Sequence, residues 1–253
     1  MIDGDLVSLR VLLASPSAAD RELMRQGAVA ASVPVEVSEV QSAVIARDKI
    51  DTAAIDVVFL DATIPPEARA ACVQGARSSA HKPFVILVAA TAEEAQRLAK
   101  EGSADSAVAK PGDVGQAKAL VERCVRLRLP NRVLVVDDSL TMRGIVRKIL
   151  QASRFRIEMT EAQEGADALQ KIASGKFDLV FLDYMMPGLN GVETLAEIKR
   201  HSPNLEVVIM TSNASLSIVE QARRAGAAGF LKKPFYPADI DAILQRIFGL
   251  REK

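Results

Sequence analysis

The chain repeats itself. Eight residues starting at Arg10 (RVLLASPS) lie over eight starting at Arg132 (RVLVVDDS) at an offset of 122, and seven starting at Ile55 (IDVVFLD) lie over seven starting at Phe177 (FDLVFLD) at the same offset. A third match, Ala109-Lys110-Pro111 over Lys232-Lys233-Pro234, is displaced by 123. An internal repeat of this length means two copies of one domain, so whatever fold half of the chain adopts, the chain adopts twice. At 253 residues and 49% hydrophobic content there is enough apolar surface for two cores of ordinary size. The boundary falls in the segment 127–131 (LRLPN), where Pro130 stops the last helix of the first copy and the next strand begins at once. The copies are therefore residues 1–127 and 132–253, joined by a short linker, 128–131. So short a connection restricts orientation more than a Gly/Ser linker would.

The second copy alternates two periodicities. Residues 133–136, 179–182, 207–210 and 229–231 are short apolar runs of the kind buried on both faces of a parallel sheet. Between them, Met142, Ile145, Val146, Ile149 and Leu150 recur at helical spacing, with Ser139 placed to cap the first turn. Val192, Leu195 and Ile198 mark a third helix, and Ile240, Ile243, Leu244 and Ile247 a last one. Strands and helices alternating at this length imply right-handed βαβ units and a doubly wound α/β sheet. In the first copy, residues 7–14 read as the first strand, interrupted by Arg10.

Polar residues stand where these strands end: Asp137 and Asp138, then Asp183, Thr211 and Lys233. A lone Asp after a strand is usually a turn or cap residue, and a lysine before proline is usually a solvated loop residue. Their joint occurrence at successive strand ends is what argues for a site, because a doubly wound sheet gathers its strands' carboxyl ends along one edge. Carboxylates that converge repel one another, which raises a pKa or demands a cation. Mg2+ suits such a cluster, since it takes hard oxygen ligands and commonly bridges carboxylates to phosphate oxygens.

The segment from about Asn131 to Lys253 resembles the receiver domain of two-component response regulators. The residues that carry the resemblance are VDDS around Asp137 and Asp138, LDYMMPGLNG from Leu182 through Asp183 to Gly191, MTS around Thr211, and KKPF around Lys233. It implies two flavodoxin-like (βα)5 domains in tandem, each with a parallel five-stranded sheet. It further implies that Asp138, Asp183 and the backbone carbonyl of Met185 ligate Mg2+ (or Mn2+) directly, with Asp137 acting through a water. Asp183 would be the phosphoacceptor nucleophile, with Lys233 and Thr211 stabilising the transferred oxygens. Thr211 would then move toward the phosphoryl group and Phe230 turn inward, reshaping the surface of the second domain's fourth helix, fifth strand and fifth helix. Many receivers carry tyrosine at that switch position; Phe230 lacks only the hydroxyl. Met185, two residues past the acceptor, offers no strong hydrogen bond to an attacking water, so self-dephosphorylation is expected to be slow.

The first copy has lost part of this site. Ser15 and Pro16 stand where Asp137 and Asp138 stand in the second, and Ala89 replaces Thr211, while Asp61 and Lys110 remain. A hard cation there has too few oxygen ligands. Asp61 and Lys110 are expected to pair with each other, and residues 1–127 read as a pseudo-receiver whose Asp61 is not phosphorylated. The helix at 117–127 presents Ala117, Leu120, Val121, Cys124 and Val125 on one face. That face serves either its own sheet or an interdomain or homodimer contact.

The 32 basic and 32 acidic residues divide 15 to 17 and 17 to 15 on either side of the cut after Arg128, so neither copy has the basic excess that non-specific nucleic-acid binding needs. No secretory signal or membrane span is evident, which points to a cytoplasmic protein with Cys72 and Cys124 reduced. The last helix ends near Gly249, leaving no sequence for an appended effector domain, so output is expected to be protein binding. His81 and His201 lie in loop-like surroundings and do not read as phosphocarriers. The expected function is that of a response regulator, not a turnover enzyme, which catalyses its own aspartyl phosphorylation and slow dephosphorylation. Its phosphate would come from a sensor histidine kinase or a phosphotransfer protein. A phosphorelay intermediate or phosphate sink, and a scaffold that never uses Asp183, are the alternatives.

Overall fold

A computed structural model of the protein describes residues 8–125, 127, 129–213 and 215–248. Val7, Arg128 and Gly249, at the expected start of the first strand, the domain cut and the end of the last helix, lie outside the described residues. The chain divides into two compact units, with the cut between Leu129 and Pro130.

The first unit runs β1 (Leu9–Ala14), α1 (Ala18–Val29), β2 (Val35–Val40), α2 (Ala43–Thr52), β3 (Val57–Asp61), α3 (Pro66–Ser78), β4 (Phe84–Ala89), α4 (Ala92–Glu101), β5 (Ser106–Ala109) and α5 (Val114–Val125). The second runs β6 (Asn131–Val136), α6 (Leu140–Gln151), β7 (Ile157–Ala162), α7 (Gly165–Ser174), β8 (Leu179–Asp183), α8 (Gly191–His201), β9 (Glu206–Thr211), α9 (Leu216–Arg224), β10 (Gly229–Lys232) and α10 (Pro237–Ile247). β6 starts one residue inside the stretch read as linker. Each sheet is wholly parallel, in the orders β2-β1-β3-β4-β5 and β7-β6-β8-β9-β10. The 122-residue offset survives into the register, since Val11 lies opposite Val57 and Val133 opposite Leu179.

The apolar runs seen in sequence are the central strands, and they are buried because helices cover both faces of each sheet. β8 is buried at all five positions, and Leu134, Val180, Leu182, Val207 and Ile209 join Leu195 and Ile198 of α8 in one core cluster. Ser139 caps α6, its hydroxyl accepting from the Met142 amide at 3.3 Å.

α5 ends at Val125 and Leu127 lies in a turn, so the helix starts and stops earlier than 117–127. Within its own unit it packs on α1 so closely that a Cβ on Gly27 would stand 2.5 Å from the Ala117 Cβ. His201 is the last residue of α8 and not part of a loop; it is exposed, near Glu197.

Candidate functional site

The site of the second unit sits where β6, β8 and β9 end. Asp137 follows β6, Asp183 closes β8, Thr211 closes β9 and Lys233 follows β10, so the topology alone delivers four of the residues to one edge. Oxygens of Asp137, Asp138 and Asp183 lie within 4.8 Å of one another. Asp137 is completely buried and Asp183 nearly so, whereas Asp138 is exposed. The Lys233 ammonium bridges the buried pair, 2.7 Å from Asp137 Oδ2 and 3.0 Å from Asp183 Oδ1. Lys233 is held by a backbone hydrogen bond from its amide to the Thr211 carbonyl, 2.8 Å, and the peptide bond that follows it, to Pro234, is cis.

Burial pushes the Asp183 carboxyl above its ordinary value; Lys233 pulls it down and the neighbouring Asp137 charge pushes it up again. The net direction is upward, so one lysine does not fully offset two buried carboxylates. Three hard oxygen donors, two of them desolvated and one facing solvent, fit a divalent cation such as Mg2+ in donor type and in charge.

Thr211 is buried, and its hydroxyl is engaged in a local turn: it donates to the Asn213 carbonyl at 3.0 Å and accepts from the Asn213 amide at 3.1 Å. Phe230 is half-buried and packs against the core cluster. Met185 is 67% exposed at the rim, its amide 3.4 Å from Asp183 Oδ1.

Sequence reasoning missed the groups that hold the acidic pair. Arg143 of α6 is buried, and its Nη1 donates to the carbonyls of Asp137 at 2.7 Å and Asp138 at 3.4 Å. Its Nε is fixed by Glu161 of β7 at 3.0 Å, and Arg147 also bonds Glu161. Burial pushes the Glu161 carboxyl up, but the two guanidiniums more than reverse this and hold it below its usual range. The first unit repeats the device: Arg21 Nη1 donates to the Ser15 carbonyl at 2.6 Å, with Glu39 beside it. Arg21 and Glu39 precede Arg143 and Glu161 by 122, so the repeat itself carried the signal. In the second unit the Ser139 backbone amide also donates to Asp137 Oδ1 at 2.9 Å.

Gly191, the last residue of the LDYMMPGLNG segment, has a steric role. A Cβ there would lie 2.4 Å from the Asp183 carbonyl oxygen and 2.7 Å from the Tyr184 Cα, both backbone atoms that cannot swing away. Gly191→Ala is expected to cost about 1–3 kcal/mol, read as a lower urea midpoint at unchanged m-value, and to weaken Mg2+ binding because the acceptor strand end must shift.

The corresponding edge of the first unit corrects one expectation. Lys110 pairs with Asp20 of α1 and not with Asp61. Asp61 instead accepts from the Ser15 hydroxyl at 2.5 Å and from the Thr63 amide and hydroxyl at 2.9 and 2.7 Å. With Ser15 and Pro16 in place of the acidic pair there is no second carboxylate between which the lysine could sit, and the nearer acidic partner is on α1. Among the described residues the second unit alone presents a cluster of three potential metal-ligating side chains.

A parallel five-stranded α/β domain with buried carboxylates, a lysine and a threonine on its carboxyl edge defines a class that known proteins share. The family model for the response regulator receiver domain matches residues 133–245. The chemotaxis protein CheY of Thermotoga maritima is 32% identical over 116 residues, covering 46% of this chain and 96% of that protein. CheY-3 of Vibrio cholerae is 35% identical over 119 residues, covering 46% of this chain and 91% of that protein. A solved structure of a two-component system response regulator/GGDEF domain protein aligns with 94% of this chain and 99% of its own at 21% identity and a TM-score of 0.50, a likeness of fold alone. The chain belongs to the response regulator receiver family.

Proposed function

We propose that the second domain is a phosphorylation switch in which Asp183 accepts a phosphoryl group from a phosphohistidine donor, and that its output is a change in protein binding. The observation that carries this is the placement of a buried Asp183 carboxylate 3.0 Å from the Lys233 ammonium, beside Asp137 and Asp138. An Asp183 oxygen attacks phosphorus in line; the P–N bond breaks and its electron pair leaves with the imidazole. Asp138, Asp183 and the Met185 carbonyl would hold Mg2+ or Mn2+, with Asp137 reaching it through water. When bound, the cation supplies positive charge to the oxygens of the transferring group. Lys233 orients and neutralises a second phosphoryl oxygen. Thr211 must exchange its bond to the Asn213 carbonyl for one to the phosphoryl group, which vacates the space that Phe230 then fills.

A two-state element of this kind, biased by added charge, alters the surface of α9, β10 and α10. The partner that supplies phosphate is a sensor histidine kinase or a phosphotransfer protein, and the target docks on that surface. The protein performs one covalent modification of itself and its slow reversal, and does not turn over a separate substrate. Its compartment on this reading is the cytoplasm, where Cys72 and Cys124, both free and buried, stay reduced. Among the described residues no helix is long and apolar enough to cross a membrane. The first domain serves as a binding or regulatory module.

Transfer from a phosphohistidine kinase to wild type but not to Asp183→Asn tests this reading. Onward transfer to a histidine protein would make the chain a relay, and partner binding indifferent to Asp183→Asn would make it a scaffold. Met185→Asn is expected to shorten the phosphoryl lifetime by about tenfold, since an amide can orient the attacking water where a thioether cannot. Decay followed by loss of phosphorylated mass checks it, and an unchanged lifetime would contradict it.

A further inference from the structure

The altered edge of the first domain opens into a cleft. It is small and partly open to solvent, with about 70 Å3 that water-sized molecules can reach, and its walls include Ser15, Asp61 and Thr63 together with Met24, Phe59 and Ala89. Each departure from the second domain frees space or charge here. Ala89 is smaller than Thr211, Ser15 is shorter than Asp137, and Lys110 has turned to Asp20 on the rim instead of standing between carboxylates as Lys233 does.

Asp61 is left half-buried, without an ion-pair partner among the described residues. Its Oδ2 accepts from Ser15 and its Oδ1 from Thr63, both neutral donors. Burial pushes its carboxyl up, but these hydrogen bonds, with a smaller pull from the Lys110 charge, hold it below the usual carboxylate value, so it is ionised near neutral pH. The other charges around the cleft are spoken for: Lys110 by Asp20, and Arg21 by Glu39 and the Ser15 carbonyl. An ionised carboxylate on a largely apolar wall favours a cation. A hard metal ion finds too few oxygens there, and a phosphate would meet Asp61's charge.

We propose that this cleft binds a small organic amine, its ammonium group on the Asp61 carboxylate and its apolar body against Met24, Phe59 and Ala89. The pseudo-receiver is then a ligand-sensing domain in its own right. Asp61, the acceptor's counterpart, has passed from nucleophile to anchor.

The test is methyl NMR on the full chain, observing Met24 and Val88 while titrating benzylamine, with benzyl alcohol as the uncharged match. Both titrations are run without Mg2+ or phosphodonor, so their outcome is independent of phosphorylation at Asp183. Saturable shifts with benzylamine are expected, at least about tenfold weaker with benzyl alcohol and in Asp61→Asn, the loss typical of a charge-assisted hydrogen bond. Ala89→Leu should fill the cleft and remove the response. Met210 and Met186 methyl signals at their wild-type positions would show that the second domain of each variant is intact, and far-UV circular dichroism would report folding of the first. Equal binding of alcohol and amine, binding unchanged in Asp61→Asn, or no saturable shift would each overturn the proposal.

Discussion

Lys233→Met is expected to destabilise the metal-free second domain by about 3–5 kcal/mol, the usual cost of removing one partner from a buried ion pair. The effect is large because the lysine serves two carboxylates at once, at 2.7 and 3.0 Å, and one of them, Asp137, is completely buried. Removing the ammonium leaves adjacent like charges in a region with little water to screen them. Mg2+ is expected to restore much of the loss, because a cation held by the same oxygens replaces the missing charge. Thermal or urea unfolding of the full chain, with Mg2+ and with a chelator, measures both quantities. A variant as stable as wild type without metal would mean that the acidic cluster is not under electrostatic stress.

Asp183→Asn is expected to have the opposite signature. The Asp183 carboxyl is held above its ordinary value, first by burial, so its ionised form is disfavoured in the folded state. A carboxyl raised in this way favours the fold below its unfolded-state pKa, and that contribution is lost as pH rises through the folded-state pKa. Near neutral pH the wild-type domain therefore carries a penalty that an uncharged amide lacks. The variant should melt about 2–5 °C higher without metal, and the difference should shrink as pH falls below the carboxylate range. Mg2+ reverses the order. At a concentration a hundred times its dissociation constant, the ion stabilises wild type by about 2.7 kcal/mol, whereas the Asp183→Asn variant retains too weak a ligand set to gain much. A variant that gains as much from Mg2+ as wild type would remove Asp183 from the metal site.

The sequence made the centre of each sheet legible and left its periphery dark. β6, β8 and β9 are apolar runs because helices bury both faces, and the acidic and threonine positions at their ends, like the lysine after β10, follow from strand direction alone. The edge strand β7, IEMTEA, went unread because only one of its six residues is fully buried, so its polar positions mask the strand period. α9 was equally silent: Ala222 is its one buried residue, and Leu216 points to solvent.

At the site, residue types and order were readable directly, but the clamp only through the repeat. Arg143 and Glu161 lie 18 residues apart on a helix and an edge strand, and nothing local in either says that they meet behind Asp137. The turn of Lys110 toward Asp20 was hidden for a related reason. Which of two acidic neighbours a long side chain reaches depends on the distances the fold creates, and the first unit differs from the second both in Ser15 and Pro16 and in offering Asp20 where the second has Met142.

The central claim is that Asp183, and not its counterpart Asp61, accepts phosphate. Intact mass of the full chain after incubation with Mg2+ and acetyl phosphate tests it most directly, on wild type, Asp183→Asn and Asp61→Asn. One added phosphoryl group in wild type and Asp61→Asn, and none in Asp183→Asn, is the result expected. Phosphoryl addition that survives Asp183→Asn, or that disappears with Asp61→Asn alone, would contradict it.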